Sequence, residues 1–233
     1  MERSTVIGLD IGQQRDPTAL AIVEAVQTKT GRMTHTGHPG GDPNWGTCVH
    51  CYPETEDVFH VRDIGRLELG PKYPQVALRV AEAVSALNLR CVVPSLLVDV
   101  TGVGRPVFDI MSNALADLDV RMSAVTFTGG HNLKGNLGSP EIAMPKPLLV
   151  SRLQALLQSR RIVMPDTAQT RALADELRVY EVRVSEDAKL TAGAFKTGTH
   201  DDMATALGLA CLFDPTGQQV RYLANPFDTS QRG

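Results

Sequence analysis

The chain has 233 residues, of which 42% are apolar and 21% are charged, and its formal net charge is −3. This length fits one domain with a sizeable core, because single domains commonly run to roughly 250 residues. The slightly acidic balance argues against a general nucleic-acid coat, although a net value hides local patches. Four cysteines do not make a disulfide framework. No apolar run approaches the roughly 20 residues that span a bilayer, and the N-terminal residues lack a secretory pattern, so we expect a soluble intracellular protein.

The first part of the chain predicts a meander of three strands. Residues 5–12 and 18–27 are short apolar runs on either side of a turn signal, which is typical of a hairpin. Residues 57–69 predict a third, bent strand. Residues 28–56 are rich in Gly, Pro, Thr, His and Asp and show no sustained periodicity, which predicts a loop insertion.

The rest of the chain predicts further helices and strands, which alternate as far as residue 127. The predicted elements are a helix over 73–87, a strand over 96–100, a helix over 107–118, a strand over 120–127, a loop or hairpin over 129–147, helices over 149–161 and 167–180, two strands within 181–196 and a helix over 200–213. Strand–helix–strand units imply parallel strands beside the antiparallel meander. We therefore expect one α/β domain over residues 1–213, with helices on both faces of a mixed sheet, and an irregular tail over 214–233.

Acidic residues occupy three positions in this pattern that suit a metal site. Asp10 and Asp99 lie in apolar strands, where an unpaired charge is costly, and Asp201 and Asp202 open the last helix. If the two strands are neighbours, these acids converge at one edge of the sheet. Carboxylate clusters suit Mg²⁺ or Mn²⁺. Two such ions about 4 Å apart would stabilise the attacking and the leaving oxygen of a phosphodiester displacement.

Each acid also has a purely structural interpretation. Asp201 and Asp202 favour a helix N-terminus through capping and the helix dipole. Asp99 could cap the turn that follows it, and Asp10 could bind the backbone of its own hairpin turn. The combination of the three positions, in this order and on these element types, favours the metal site.

Three segments carry a resemblance to a known family. They are GLDIGQQRDPTALAIVE, LLVDVTGVGRPVFDIM and HDDMATALGLA, and they resemble the nuclease domain of the phage terminase large subunit, a member of the RNase H-like superfamily. The similarity covers most of the chain from Val6 to Phe213. It implies an RNase H-like fold and a metal-dependent endonuclease that cleaves double-stranded DNA, as in cutting concatemeric viral DNA during genome packaging. By this resemblance the catalytic residues and ligands of two Mg²⁺ or Mn²⁺ ions are Asp10, Asp99, Asp201 and Asp202.

The two acids of the last helix are not expected to contribute equally. Consecutive helical residues point about 100° apart and cannot face one ion in the same way. We therefore expect Asp202 to be the central ligand and Asp201 to assist it.

The resemblance also implies partners. These are double-stranded DNA, a packaging ATPase domain or subunit, and the portal and small terminase proteins, in the cytoplasm of a bacterial host and without a membrane. A complete large terminase has a packaging ATPase, but this sequence contains no GxxxxGK[ST] phosphate loop. We therefore expect either the nuclease part alone or a relative with another role, without ATP-driven translocation.

A second metal site is suggested within the predicted loop insertion. His35, His38, Cys48 and Cys51 could supply four zinc ligands, and CxxC is a recurrent half-site. A structural zinc ion would order a polar segment that has no core of its own. The alternative is a flexible loop that carries two reduced thiols.

Basic residues between positions 131 and 200 are the candidates for contacts to the DNA backbone. Lys196 is the strongest of them, and Lys134, Lys146 and Arg152 are the others. Such contacts position DNA without reading its sequence. Aromatic residues make up only 5% of the chain, so base stacking is not an expected mode of binding.

Two rival functions remain open at this stage. The segments GLDIG and VDVTGVG also resemble the phosphate-binding turns of sugar kinases and actin-like ATPases. In that superfamily the second turn should open another hairpin, whereas a helical pattern follows it here. The other rival is a catalytically inactive module of a packaging complex, in which the acids would be structural.

Overall fold

The structure, a computed structural model, describes residues 2–12, 17–35, 51–67, 72–129, 132–179, 181–184, 190–193 and 201–215. Within these ranges the elements in chain order are β1 (Arg3–Asp10), β2 (Ala19–His35), β3 (Cys51–Arg66), α1 (Tyr73–Asn88), β4 (Ser95–Asp99), α2 (Arg105–Ala114), β5 (Arg121–Phe127), β6 (Glu141–Met144), α3 (Lys146–Gln158), β7 (Ile162–Val163), α4 (Ala168–Val179), β8 (Glu181–Val184), β9 (Leu190–Gly193) and α5 (Asp202–Ala210). No helix in the described ranges is long and apolar enough to cross a membrane.

Seven of the described strands form one sheet in the order β6-β5-β4-β1-β2-β3-β7. β1, β2 and β3 pair antiparallel, whereas β4, β5 and β6 run parallel to β1. β7 pairs parallel with β3, and β8 and β9 form a separate antiparallel pair. The predicted mixed sheet, with a meander beside parallel strands, is confirmed.

Helices cover both faces of the sheet, as the sequence predicts. Strand residues alternate between the two faces. On one face, Ile7 and Leu9 of β1 pack with residues of α1 and α2. On the other face, Val6 packs with Leu209 of α5 and with α3. The site described below lies on this second face, because Asp10 has the same parity along β1 as Val6.

Local sequence explains how α1 and α2 begin. The side chain of Gln75 accepts a hydrogen bond from the Lys72 N–H at 3.0 Å and caps the start of α1. In the turn before α2, Gly102 and Gly104 have φ angles of 84° and 75°, which side chains rarely adopt. Pro106 then lies in the first turn of α2. The strand β4 is thus followed by a helix and not by a hairpin.

The prediction of a loop insertion over 28–56 is wrong at both of its ends. β2 continues to His35 and β3 begins at Cys51, so the two strands form a long antiparallel ribbon. The Thr30 hydroxyl, for example, donates across the ribbon to the Glu54 carbonyl oxygen at 3.2 Å. Most of the described side chains in the outer part of this ribbon, residues 28–33 and 52–56, are exposed. Because neither face of this outer part lies in the core, its sequence shows no alternation of apolar and polar residues that would indicate a strand. Residues 36–50 lie outside the described residues.

Two short strands were also missed. β6 lies within the segment predicted as loop or hairpin, and β7 has only two residues. Both lie at edges of the sheet, and segments of this length carry too few residues to show a period of two. The predicted strand pair within 181–196 is confirmed at β8 and β9.

A close backbone contact joins α5 to β1. A Cβ atom on Gly8 would lie 2.0 Å from the Ala206 carbonyl oxygen and 2.8 Å from the Ala210 nitrogen. All residues of α5 are buried, which is typical of a helix that packs on every side. The absence of a side chain at Gly8 therefore sets the distance between this helix and the sheet.

We predict that Gly8→Ala lowers the free energy of unfolding by about 3 kcal/mol, since the added methyl group meets backbone atoms that cannot rotate away. Urea unfolding monitored by circular dichroism measures the change. Gly65→Ala is the matched control in β3, because its Cβ would come no closer than 3.7 Å to the Gln169 side chain. Equal stability of the two variants would contradict the predicted role of Gly8.

Candidate active site

The ends of two neighbouring strands bring Asp10 and Asp99 together. β1 and β4 pair in parallel, and their register places Asp10 directly beside Asp99. Both residues have the parity that faces α5, as Gly8 and Leu97 do. Asp99 is buried and Asp10 is half-buried. The predicted adjacency of the two strand acids is therefore present in the fold.

The start of α5 brings the second pair of acids to the same ends of β1 and β4. Asp201 precedes the helix as its N-cap residue, and Asp202 is the first helical residue. Asp202 is buried and Asp201 is half-buried. One turn of helix separates Asp202 from Ala206, which lies over Gly8, so α5 begins above the end of β1.

Arg66, at the end of β3, forms ion pairs with two buried acids. Its Nε atom donates to Oδ2 of Asp202 at 2.5 Å, and its Nη2 atom donates to Oε1 of Glu176 at 3.2 Å. Glu176 belongs to α4, and the same Oε1 atom accepts a hydrogen bond from the Met203 N–H at 3.2 Å. Arg66 and Glu176 therefore hold the start of α5 against β3 and α4.

Lys146 forms a second ion pair within the cluster. Its Nζ atom lies 2.8 Å from Oδ2 of Asp201 and 5.6 Å from the centre of the Phe127 ring. Lys146 is the first residue of α3, and its charge also lowers the pKa values of Asp10 and Asp99. Lys146 thus offsets part of the negative charge of three carboxylates.

Despite these cations, the strand acids have raised pKa values. Burial raises the pKa of Asp10 well above its usual range, and the neighbouring charge of Asp99 raises it further. Burial also raises the pKa of Asp99, although hydrogen bonds from Thr101 oppose the rise. One of these is a backbone bond, in which the Thr101 N–H donates to Oδ1 of Asp99 at 2.8 Å. Asp99 therefore does cap the following turn, and it does so while facing the cluster.

The donor set fits Mg²⁺ or Mn²⁺ in its chemistry. All candidate ligands are carboxylate oxygens, and their mutual repulsion is the kind that a divalent cation relieves. In the part of the chain that the structure describes, no three His, Cys, Asp or Glu side chains stand close enough to share one ion. Asp201 and Asp202 instead contact Lys146 and Arg66. Metal binding would therefore require the helix acids to exchange their ion pairs for the ion.

An open cleft lies at the carboxyl ends of β4 and β5. Its volume is about 600 Å³, and its walls include Thr101, Arg105, Lys134 and Glu141. Lys134 is exposed, and its backbone pairs with Ala143 beside β6. The cleft thus places charged side chains beside the turn that follows Asp99.

Comparison with known proteins relates this architecture to phage terminases. The large terminase nuclease of thermophilic phage G20c, solved with bound magnesium, has 15% sequence identity and a TM-score of 0.54 over 90% of this chain and 80% of that chain. A variant nuclease domain of the large terminase subunit of bacterial virus Sf6, solved with manganese and beta-thujaplicinol, has 13% identity and a TM-score of 0.51 over 91% and 88%. The HK97 bacteriophage large terminase has 14% identity and a TM-score of 0.50, over 91% of this chain but 39% of that chain.

This protein has a terminase nuclease-like fold. The resemblance stated from the sequence is confirmed at the level of the fold, and so is the expected mixed sheet with helices on both faces. No family model and no curated protein sequence matches the chain.

The residues predicted to contact the DNA backbone lie in different environments in this terminase nuclease-like chain. Arg152 is only 5% exposed, its Nε atom donates to the Cys211 carbonyl oxygen, and its guanidinium lies over the Phe59 ring. A phosphate cannot reach that position, so the prediction for Arg152 needs correction. Lys134 is exposed at the cleft, and Lys146 lies within the acidic cluster. Lys196 lies outside the described residues.

The structure describes the backbone of only two of the four predicted zinc ligands. His35 and Cys51 are backbone partners in the β2–β3 ribbon, so the first and last of the four lie opposite each other. His38 and Cys48 lie outside the described residues. The site remains a prediction.

Sequence reasoning missed Arg66 and Glu176. Glu176 follows Leu173 by three residues and precedes Leu177, so it lies next to the apolar stripe of α4. An acid beside such a stripe is a signal of burial that could have been used. Arg66 carries no comparable signal, since its partners lie far away in the chain.

We predict that, without metal, Asp10→Asn stabilises the protein at pH 7. A raised pKa means that folding favours the protonated carboxyl group, so the ionised form opposes folding. The gain should be roughly 2–4 °C in Tm, the shift that about 1 kcal/mol produces at this chain length. It should shrink as the pH falls through the folded-state pKa and vanish near the unfolded value of about 3.9.

Thermal unfolding in EDTA between pH 4 and 8 measures this effect. Asp117→Asn serves as the control, because Asp117 is exposed and lies outside the cluster. The control should change Tm by less than about 1 °C. A loss of stability in Asp10→Asn, or an equal gain in both variants, would contradict the electrostatic interpretation.

Proposed function

We propose that the protein is a Mg²⁺- or Mn²⁺-dependent endonuclease that hydrolyses double-stranded DNA. The observation that carries the proposal is the register of β1 and β4, which aligns Asp10 with Asp99 below the start of α5. In a terminase nuclease-like fold, this arrangement collects carboxylate oxygens at the carboxyl ends of two central strands. The likeness to magnesium- and manganese-bound terminase nucleases supports the choice of metal.

We assign the metal ions to the carboxylates of the cluster. Asp10, Asp99 and Asp202 would hold two ions, and Asp201 would assist. When bound, such ions activate a water molecule for attack on phosphorus and stabilise the leaving 3′ oxygen. The proton from that water needs an acceptor, and the ionised carboxylates at this edge are the candidates that the fold supplies.

The basic residues near the cluster would position the DNA backbone. Lys134 lies at the cleft beside the turn that follows Asp99, and Lys146 lies over Phe127 next to Asp201. Both would contact phosphates without reading bases. Lys196 remains a predicted contact. Bound divalent ions would also reverse the local charge where a polyanion must approach.

The biological role that we propose is the cutting of concatemeric viral DNA during genome packaging, in the cytoplasm of a bacterial host. In that role the protein would work with a packaging ATPase domain or subunit and with portal and small terminase proteins. The support is the likeness to phage terminase nuclease domains.

The helix α2 argues against the kinase or actin-like alternative. In that superfamily a hairpin should follow the second phosphate-binding turn, whereas here α2 begins directly after Gly104. An inactive packaging module remains the second alternative, and an activity assay separates it from the nuclease.

We predict that the purified protein nicks or linearises supercoiled plasmid in Mn²⁺ or Mg²⁺ and is inactive in EDTA. Asp99→Asn should reduce the cleavage rate by more than about 100-fold. Replacing a residue that only hydrogen-bonds to a metal ligand already lowers metal affinity or activity by about 10- to 100-fold. Gel electrophoresis of the plasmid over time measures the rate.

Asp117→Asn, which removes an exposed acid outside the cluster, should cleave at the wild-type rate. If the wild type shows no metal-dependent cleavage, the nuclease function is rejected and the inactive packaging module is favoured. Equal cleavage by Asp99→Asn and wild type would reject the assigned site. ATP hydrolysis without DNA cleavage would favour the kinase-like alternative.

We also propose that the far end of the β2–β3 ribbon holds a structural zinc ion through His35, His38, Cys48 and Cys51. The backbone pairing of His35 with Cys51 supports this, because it places two of the four residues opposite each other. Protein purified without added zinc should contain about one zinc ion per chain. Cys51→Ser should lose it, whereas Cys91→Ser, at an exposed free cysteine, should retain it. Near-zero zinc in the wild type would reject the site.

A further inference from the structure

Arg66 forms ion pairs with two acids through different atoms of its guanidinium group. The Asp202 side chain is 7% exposed and the Glu176 side chain is 2% exposed, whereas that of Arg66 is 31% exposed. Nε of Arg66 is used by Asp202, and Nη2 is used by Glu176. The guanidinium thus joins a candidate metal ligand to an acid on α4.

Glu176 has an acceptor that this arrangement leaves unused. Its Oε1 atom accepts from Arg66 and from the Met203 N–H, but its buried Oε2 atom has no hydrogen-bond partner in the described part of the chain. Buried carboxylate oxygens without partners are rare, because the lost hydration is costly. The unused oxygen can therefore accept a further hydrogen bond from a neighbouring donor.

Metal binding at the proposed site would free such a donor. Oδ2 of Asp202 accepts from Nε of Arg66 at 2.5 Å, so a metal ion and the guanidinium compete for the same carboxylate. When Asp202 turns to a metal ion, Nε of Arg66 loses its acceptor. The nearby Glu176 carboxylate can then accept two parallel hydrogen bonds, a geometry that suits a planar guanidinium.

We propose that Arg66 is an exchangeable counter-ion of Asp202 and that Glu176 is a positioning residue that holds Arg66 when Asp202 binds metal. This inference rests on the proposed metal site. In the metal-free protein Arg66 compensates the charge of Asp202. In the metal-bound protein Glu176 takes over the whole guanidinium and leaves the Asp202 carboxylate to the ion.

This model differs from a permanent salt-bridge network in what it predicts for metal affinity. In the exchange model Arg66 opposes metal binding, and Glu176 promotes it only by drawing Arg66 away. Neutralising Glu176 should therefore weaken metal binding only while Arg66 is present. In a permanent network, each substitution would disturb the start of α5 regardless of the other.

The test is calorimetric titration of Mn²⁺ into the whole chain without DNA, which measures binding and not cleavage. We expect Arg66→Gln to bind Mn²⁺ about fivefold or more tightly than wild type, the lower end of common coupling effects. Glu176→Gln, which keeps a side-chain oxygen for the Met203 N–H, should bind about fivefold or more weakly. In the Arg66→Gln background, Glu176→Gln should change the affinity by less than about twofold.

Arg66→Lys gives a second background if Arg66→Gln does not fold, as judged by thermal unfolding. Lysine keeps the positive charge but lacks the planar guanidinium group that donates two parallel hydrogen bonds. In the Arg66→Lys background, Glu176→Gln should therefore weaken Mn²⁺ binding less than in the wild type. Equal weakening by Glu176→Gln in all backgrounds, or no gain in a folded Arg66→Gln variant, would overturn the exchange.

The proposed metal site and the proposed exchange of Arg66 are rejected by different results. If wild type binds Mn²⁺ and Asp99→Asn does not, the metal site stands, and the Arg66 and Glu176 variants decide the exchange alone. If wild type does not bind Mn²⁺, the metal site fails and the exchange falls with it.

Discussion

The close contact between α5 and β1 is the constraint on which the candidate site depends. Because Gly8 has no side chain, the backbone of the helix reaches the backbone of the strand near Ala206. The register of β1 and β4 then aligns Asp10 with Asp99, and the helix start adds Asp202 above them. A larger residue at Gly8 would lift the helix and separate acids that come from distant parts of the chain. Stability and site geometry thus rest on the same backbone contact.

Gathering these acids has an electrostatic cost that the fold offsets only in part. Lys146 and Arg66 each approach one acid of the helix start, yet the pKa values of Asp10 and Asp99 remain raised. A protein that maintains such repulsion is less stable than it would be with neutral residues there, which is common at functional sites. Divalent cations relieve the same repulsion, so the feature that lowers stability is also the one that favours metal binding.

Much of the fold could be predicted from local pattern, and the errors have physical causes. β1 and β4 are continuous apolar runs because both of their faces lie in the core, and α1 shows apolar periodicity because one of its faces does. The outer part of the β2–β3 ribbon shows no apolar alternation, because most of its described side chains are exposed, and its sequence therefore predicts a loop. Arg152 illustrates the opposite error. A charged residue on a helix indicates a surface, but packing against Phe59 and a hydrogen bond to the Cys211 carbonyl oxygen bury it.

The sequence by itself determined which acids end the strands and begin the last helix, because strand and helix patterns depend on residues close together in the chain. The resemblance to terminase nucleases rests on those same segments. Only the tertiary structure decided that Arg66 joins Asp202 to Glu176 and that Lys146 meets Asp201. These pairs join residues far apart in the chain. Their partners are selected by how strands and helices pack, and no local pattern records that choice.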